Sequence, residues 1–328
     1  PAAVADACVV CRAVQHDLEN VKKVLKDDRS PVTVADFASQ AVVIHRLREA
    51  LGEGVLCVGE EDADELRSGD PAIRESVVKA ARIIWADASE DDVLDAIDGG
   101  GDQGEGSTFW TLDPIDGTKG FLRGGQYAVS LAWIENNRPT IGVMGCPNLP
   151  MDFSKSFDEP DAHGALYVAV RGNGLWESRS DQPDAKLMKV PPLSHAPDDL
   201  VRVCESVESG HSKHDHTVKI LESMGRESRS LRLDSQAKYA VVARGQADAY
   251  LRMPTRPGYR EKIWDHAAGA LCAIEAGAIV SDITGAPLDF SLGSRLEKNR
   301  GVICGTPEIH GKIIHAIAEL GFADMGKE

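Results

Sequence analysis

The chain has 328 residues, of which 42% are hydrophobic and 27% charged, and its formal net charge is −16. This composition is ordinary for a soluble globular protein with one large core or two lobes that share one, and no apolar run approaches the ~18 residues of a membrane helix. The acidic balance argues against nucleic acid or an anionic membrane as a partner, whereas a small anion bound through metal ions is compatible with it.

The N-terminal region predicts two long helices, at about 2–26 and 33–51, separated by Ser30-Pro31. Its first residues acquire acids too early for a signal peptide and are not typical of a transit peptide. Cys8 and Cys11 form a CxxC pattern, but no strand precedes it, so we interpret it as buried helix packing. Seven cysteines, an odd number, are typical of reduced thiols, so we expect an intracellular protein, either cytoplasmic or organellar.

The next region, residues 55–106, predicts a short strand that ends in acids, then one or two helices, then a loop rich in Gly and Asp. Two patterns in it resemble binding motifs and are rejected. "GGGDQG" lacks the strand before it and the helix after it that a dinucleotide site needs. "DASEDDVLDAID" has Asp92 where a calcium loop needs Gly, so a solvated helix capped by Ser89 is the simpler interpretation.

The remaining chain predicts two kinds of organisation. Residues 107–178 predict consecutive strands, with "RGNGLW" as a hairpin turn. After the connector at 180–199, rich in Pro and Asp, strands and helices alternate, which is typical of an α/β lobe. We therefore expect an N-terminal α+β lobe at 1–185, which carries most of the candidate metal ligands, and a C-terminal lobe at 186–328, in contact with each other.

The motif "DPIDGT" raises the first functional question. Strand interiors disfavour Asp, Pro and Gly, so we expect the strand to end at Leu112 and a shaped loop to follow. With Pro114 between them, Asp113 and Asp116 could converge on one point, as metal ligands do. The rival is an aspartyl-phosphate nucleophile, whose motif resembles D-x-D-G-T, but here the spacing is D-x-x-D-G-T.

Other acids stand near the ends of apolar runs, and any one of them alone would more often be a cap or a surface acid. Together with the two Asp of "DPIDGT" they form an oxygen-rich set that suits Mg²⁺, without a cluster of Cys or His. Two such cations, roughly 3.5–4 Å apart, clamp the attacking water and the leaving oxygen of a phosphoryl transfer. Gly117 and the residues after it offer N–H groups to a phosphate. The additional acids are Asp36, Glu60, Glu61 and Asp265.

Three ordered motifs, "GEE" (59–61), "DPIDGT" (113–118) and "WDHAAG" (264–269), resemble the inositol monophosphatase superfamily. The resemblance implies an α+β fold, a layered αβαβα sandwich with two lobes, and a lithium-sensitive phosphatase with two or three Mg²⁺ per site. "SPVTVADFASQAVV", "GHSKHDH" and "LDSQAKYAVVARGQADAYLR" are further similar to the branch of 3'(2'),5'-bisphosphate nucleotidases.

The same resemblance implies a role for individual residues. The metal ligands would be Glu60, Asp113, the backbone carbonyl of Ile115, Asp116 and Asp265. Asp36 with Thr118 would orient and deprotonate the attacking water. The substrate would be held by Gly117, Thr118, His214, Ser235, Lys238 and Arg252, with His214 favoured over His211 by the S-x-x-H register.

The resulting expectation is a Mg²⁺-dependent phosphomonoesterase that hydrolyses the 3'-phosphate of 3'-phosphoadenosine 5'-phosphate to AMP and phosphate by metal-activated water. An inositol polyphosphate 1-phosphatase is the alternative within the class, and 3'-phosphoadenylyl sulfate stays open as a substrate. A non-catalytic nucleotide or metal sensor is the alternative outside it, and the complete acid set argues against a pure binder. The expected partner is a small nucleotide bisphosphate rather than nucleic acid or membrane, and a monomer is compatible with the sequence.

Overall fold

The computed structural model describes residues 1–18, 30–157, 159, 161–193, 200–207 and 214–327. Its helices are α1 Ala2–His16, α2 Ser30–Leu51, α3 Ala63–Ser68, α4 Pro71–Ala81, α5 Glu90–Asp98, α6 Thr118–Leu122, α7 His214–Ser223, α8 Ala237–Ala243, α9 Ala267–Glu275 and α10 Pro307–Glu319. Its strands are β1 Cys57–Gly59, β2 Thr108–Asp116, β3 Ala128–Glu135, β4 Arg138–Cys146, β5 Ala165–Val170, β6 Gly174–Arg179, β7 Met188–Lys189, β8 Leu200–Glu205, β9 Glu227–Arg232, β10 Ala249–Arg252, β11 Ile279–Ser281 and β12 Val302–Gly305.

The strands form two sheets that alternate with layers of helices. One sheet has the order β1-β2-β3-β4-β5-β6-β7 and is antiparallel except for the β1–β2 pair, and the other has the order β11-β12-β10-β8-β9. Helices α1 and α2 cover one face of the first sheet, α8 and α9 fill the space between the sheets, and α7 and α10 cover the outer face of the second. The layered αβαβα sandwich predicted from the sequence is confirmed.

Two glycines in β4 let helices approach the first sheet from both sides. A Cβ at Gly145 would lie 2.3 Å from Sγ of Cys8 in α1, and a Cβ at Gly142 would lie 3.0 Å from the carbonyl oxygen of Ala268 in α9. Both cysteines of the CxxC pattern are buried free thiols in the core under α1, so their interpretation as helix packing is confirmed.

The prediction that the strand ends at Leu112 is wrong, because β2 continues through Asp116. Asp113 pairs with Ser130 and Asp116 with Ala128, so β2 has one residue more than β3 between these pairs. A bulge of this kind accommodates Pro114, which has no N–H to give to the ladder. The two aspartates therefore lie on the irregular end of a strand, fixed by pairing with β3.

Other boundaries also differ from the predictions. Helix α1 ends at His16 rather than near residue 26, and residues 19–29 of that prediction lie outside the described residues; α2 begins at Ser30. Three helices, not one or two, lie between β1 and β2, and Ser89 caps α5 with a reciprocal capping box as expected. Strand β7 still pairs with β6 after residue 185, and the division into two lobes there stays a prediction. Among the described residues, no helix is both long and apolar enough to cross a membrane.

Candidate active site

A cavity of about 270 Å³ lies where the end of β2 meets β10, α8 and the residues before α9. It brings together most of the residues singled out from the sequence. Its lining contains Glu60, Asp113, Ile115, Asp116, Gly117, Thr118, Ser235, Lys238, Arg252 and Asp265. Sequence reasoning missed four other lining residues, Lys119, Ser206, Asp234 and Tyr250.

One part of the cavity lining, the acid wall, is a group of four carboxylates, those of Glu60, Asp113, Asp116 and Asp265. Burial and the charges of Asp265, Glu61 and Asp116 raise the pKa of Glu60 to about 8. Burial, followed by the charges of Glu60, Asp116 and Asp265, raises the pKa of Asp113 well above its usual range. Oδ1 of Asp113 is buried and has no hydrogen-bond partner among the described residues. A cation placed among these oxygens would both relieve the repulsion and satisfy the orphaned acceptor.

Gln40 of α2 positions the acids that follow β1. Its buried carboxamide donates to the carbonyl oxygens of Glu61 (2.8 Å) and Ile97 (2.9 Å) and accepts from the N–H of Glu61 (3.1 Å). A Cβ at Gly59 or Gly100 would lie within 2.6 Å of this side chain, so the two glycines make room for it. The sequence offered no signal for this role beyond a polar residue on an otherwise apolar helix face.

Gln236 joins two parts of the acid group. Its backbone N–H donates to Oδ2 of Asp116, while its side chain donates to the carbonyl oxygen of Trp264 (2.8 Å) and accepts from the N–H of Gly269 (3.1 Å). The loop before α8 thereby holds the end of β2, which carries Asp116, and the residues just before α9, which include Asp265. Gln236 lies inside the stretch "LDSQAKY", for which the sequence predicted roles for Ser235 and Lys238 but none for Gln236.

The cavity lining also carries cations and hydroxyls. Lys238 is 3% exposed; its Nζ donates to the carbonyl oxygen of Leu233 (3.3 Å) and lies 5.2 Å from the centre of the Tyr250 ring. Burial lowers the pKa of Lys238 to about 8. Arg252 is already ion-paired, with Nη2 2.8 Å from Oε2 of Glu261 and 3.4 Å from Oδ2 of Asp265. Lys238 is thus more available than Arg252 to bind an anion.

The two residues expected to activate water occupy different positions. Thr118 lines the cavity and is exposed at the start of α6. Asp36 is buried behind the cavity lining, and its Oδ1 has no hydrogen-bond partner among the described residues. Burial, followed by the charges of Glu61 and Glu60, raises the pKa of Asp36 well above its usual range. The charge of Asp36 therefore interacts with the charges of the neighbouring acids Glu60 and Glu61.

Two other predicted contacts have different outcomes. His214 begins α7, but its side chain and all of His211 lie outside the described residues. Gly117 has φ of +89°, and a Cβ on it would lie 2.9 Å from Cβ of Ser235. Only glycine adopts this backbone without strain and leaves room for the close contact between the "DPIDGT" and "LDSQAKY" segments.

A second group of candidate ligands shares only Asp265 with the acid wall. The ligand atoms of Glu261, Asp265 and His266 lie within 4.8 Å of one another. However, Arg252 and His266 outweigh burial and lower the pKa of Glu261 to about 2, and the Tyr239 hydroxyl lies 2.8 Å from Nδ1 of His266. Since this group already contains its own counter-charge, a divalent cation fits better among the carboxylates of the acid wall.

The comparisons with known proteins cover almost the whole chain. The profile of the inositol monophosphatase family matches residues 2–321. A relative from Schizosaccharomyces pombe is 40% identical over 311 residues, which is 91% of this chain and 87% of the relative; one from Oryza sativa is 37% identical over 342 residues, 97% of this chain and 92% of the relative. Both are named 3'(2'),5'-bisphosphate nucleotidase.

Solved structures agree at the level of the fold. CysQ from Bacteroides thetaiotaomicron, a bacterial member of the inositol monophosphatase family, superposes with a TM-score of 0.60 at 20% identity and covers 93% of this chain and 94% of its own. SaIMPase-II with bound 2'AMP superposes with a TM-score of 0.56 at 18% identity, with 95% of each chain covered.

Proposed function

Since the chain belongs to the inositol monophosphatase family, as its three motifs predicted, we propose that it is a Mg²⁺-dependent phosphomonoesterase that converts 3'-phosphoadenosine 5'-phosphate to AMP and phosphate. The observation that carries this proposal is the cavity itself. The same cavity of about 270 Å³ is lined by four carboxylates, Glu60, Asp113, Asp116 and Asp265, and by Lys238 and Ser235. An acid wall alone suits a metal, and the added lysine suits an anion with more charge than one phosphate.

The donor set fits Mg²⁺ because it consists of oxygens, and among the described residues only one of the four carboxylates, Asp265, is ion-paired with a base of the protein, Arg252. Glu60, Asp113, Asp116, Asp265 and the carbonyl of Ile115 would hold the cations. Bound Mg²⁺ supplies a Lewis acid and lowers the pKa of a coordinated water. The protein's own contribution is to keep the carboxylates together in spite of the burial and the mutual repulsion that raise the pKa of Asp113 and Glu60.

Asp36 and Thr118 would act on the attacking water. Burial and the charges of Glu61 and Glu60 raise the pKa of Asp36, and a carboxylate with a raised pKa is a better proton acceptor than an ordinary one. The Thr118 hydroxyl, on the cavity surface, can accept a hydrogen bond from the water and donate one toward Asp36, which passes the proton inward. Asp36 thus serves as the general base and Thr118 as the group that aligns the nucleophile.

The remaining residues would bind the nucleotide. Backbone N–H groups at Gly117 and Thr118 would contact the scissile phosphate. Lys238, helped by Ser235, Arg252 and His214, would contact the second phosphate and the nucleoside. In a chain of net charge −16 a second phosphate needs such local cations, because the wider field repels it. The names of the relatives support this substrate class.

Phosphate release measured over a panel of substrates tests the proposal. With Mg²⁺, we expect the highest kcat/KM for 3'-phosphoadenosine 5'-phosphate, with 5'-AMP rather than 3'-AMP as the nucleotide product, and loss of activity in EDTA. A preference for inositol 1,4-bisphosphate would instead identify the inositol polyphosphate 1-phosphatase alternative. Tight nucleotide binding without any phosphate release would identify the sensor and contradict the proposed enzyme.

A further inference from the structure

A second cavity, of about 300 Å³, lies beside the C-terminal half of α9, between that helix, the start of β4 and the segment after β11. Its walls are apolar and include Pro139, Leu271, Ile274, Leu288 and Phe290. Since a cavity of about 150 Å³ is enough for benzene, this one accommodates a bicyclic ring or an alkyl chain of similar volume. The first cavity is lined by the residues before the other end of α9, and nine helical residues span about 13 Å, so the two are separate sites.

Two arginines line this cavity. Nε of Arg171 donates to the carbonyl oxygen of Pro139 (2.7 Å), and over the described parts of the chain no carboxylate forms a salt bridge with Arg171 or Arg138. Glu275 is close enough for its charge to affect the pKa of Arg171. Its two carboxylate oxygens, however, accept hydrogen bonds from the backbone N–H groups of Gly172 and Gly174, at 2.9 Å each. Burial, with the charge of Arg138 adding to it, lowers the pKa of Arg171.

We propose that this cavity binds a small amphipathic anion, with an apolar body against α9 and Phe290 and a single acidic head group between Arg138 and Arg171. In a chain of net charge −16, two neighbouring guanidinium groups that have no ion-paired acid among the described residues form a local site for an anion. The planar fork of arginine binds carboxylate, sulfate and phosphate heads in the same way. The walls select for a hydrophobic body, which distinguishes the ligand from inorganic phosphate or a free nucleotide phosphate.

Isothermal titration of the full-length protein with 2-naphthoate tests this site, with neutral 2-naphthamide as the matched ligand. We expect saturable binding of the carboxylate at one site and at least tenfold weaker binding of the amide. Arg138→Ala and Arg171→Ala should each weaken binding of 2-naphthoate about tenfold, since each removes one charge-assisted contact. Arg229→Ala, which removes an exposed arginine on β9, should leave the affinity unchanged.

Ile274→Trp, which places a larger side chain in the apolar wall with both arginines intact, should abolish binding. Circular dichroism of each variant verifies that it is folded. Equal affinity for the amide, an equal effect of Arg229→Ala, or unchanged binding in both arginine variants would overturn the proposal. So would weaker binding in Lys238→Ala, because it would place the anion in the first cavity, and so would the absence of saturable binding.

Discussion

Lys238→Ala should separate recognition of the second phosphate from recognition of the scissile one. Lys238 is buried in the cavity lining, and its ammonium donates to the Leu233 carbonyl and lies over the Tyr250 ring. These contacts hold the charge in place before substrate arrives, so little side-chain freedom is lost on binding. A phosphate that reaches this ammonium gains a charge-assisted hydrogen bond in a site largely shielded from water.

Such a bond contributes roughly 1.5–3 kcal/mol, which corresponds to about 10- to 150-fold in KM. The variant should therefore raise KM for 3'-phosphoadenosine 5'-phosphate by that factor and change KM for 3'-AMP, which has only the scissile phosphate, by less than about threefold. Because the pKa of Lys238 is about 8, the ammonium is charged below that pH and neutral above it. KM of the wild type for the bisphosphate should rise as the pH increases through 8, and that rise should be absent in the variant.

The assay is steady-state phosphate release with both substrates at saturating Mg²⁺. Lys189→Ala is the matched control, since Lys189 also lies over an aromatic ring (Trp176, 5.8 Å) but outside the cavity. Equal losses of kcat/KM on the two substrates would refute the reasoning, because they would mean that Lys238 serves the scissile phosphate or the fold.

Three further predictions concern the base, the metal and the packing. Asp36→Asn should lower kcat by roughly 10²–10⁴ with KM almost unchanged in steady-state kinetics; a change confined to KM would make Asp36 structural. Since the pKa of Glu60 is raised from 4.5 to about 8, the folded metal-free protein binds more protons than the unfolded chain between these values. Its Tm should therefore fall as pH rises through that window, and the Tm gained on adding Mg²⁺ should be larger at about pH 8.5 than at about pH 6; a gain independent of pH would contradict this. In urea unfolding, Gly145→Ala should lower the free energy of unfolding by about 1–3 kcal/mol because its Cβ meets Cys8, whereas Gly311→Ala, inside α10 with open space around it, should raise it by up to about 1 kcal/mol.

The acids proposed as metal ligands could be singled out from the sequence because their chemistry conflicts with their surroundings. Asp113 and Asp265 are acids next to apolar runs, where a carboxylate is costly unless it binds something, and the cavity does bring them together. The alternating strands and helices of the second half predicted an α/β lobe, whereas the layered αβαβα arrangement followed from the resemblance of the three motifs to the inositol monophosphatase superfamily.

Residues that act only through tertiary contacts were not predictable. Gln40 and Gln236 are neutral, and their importance depends on backbone groups up to 57 residues away in sequence. Local propensity also failed at Pro114, where pairing with β3 and a bulge overrode the tendency of Asp and Pro to end a strand. The ion pair between Arg252 and Glu261 likewise required the fold, so the sequence overstated how free this arginine is for substrate.

The most direct test of the central claim is phosphate release from 3'-phosphoadenosine 5'-phosphate by Asp113→Asn over a range of Mg²⁺ concentrations. Asp113 has a buried oxygen without a partner among the described residues and lies at the centre of the repulsion between the carboxylates. We expect wild-type activity to vanish in EDTA and return with Mg²⁺, the variant to stay inactive at every Mg²⁺ concentration, and Asp64→Asn, a change at a surface acid, to have no effect. Substantial activity of Asp113→Asn at saturating Mg²⁺, or wild-type activity that survives EDTA, would contradict the proposed metal site.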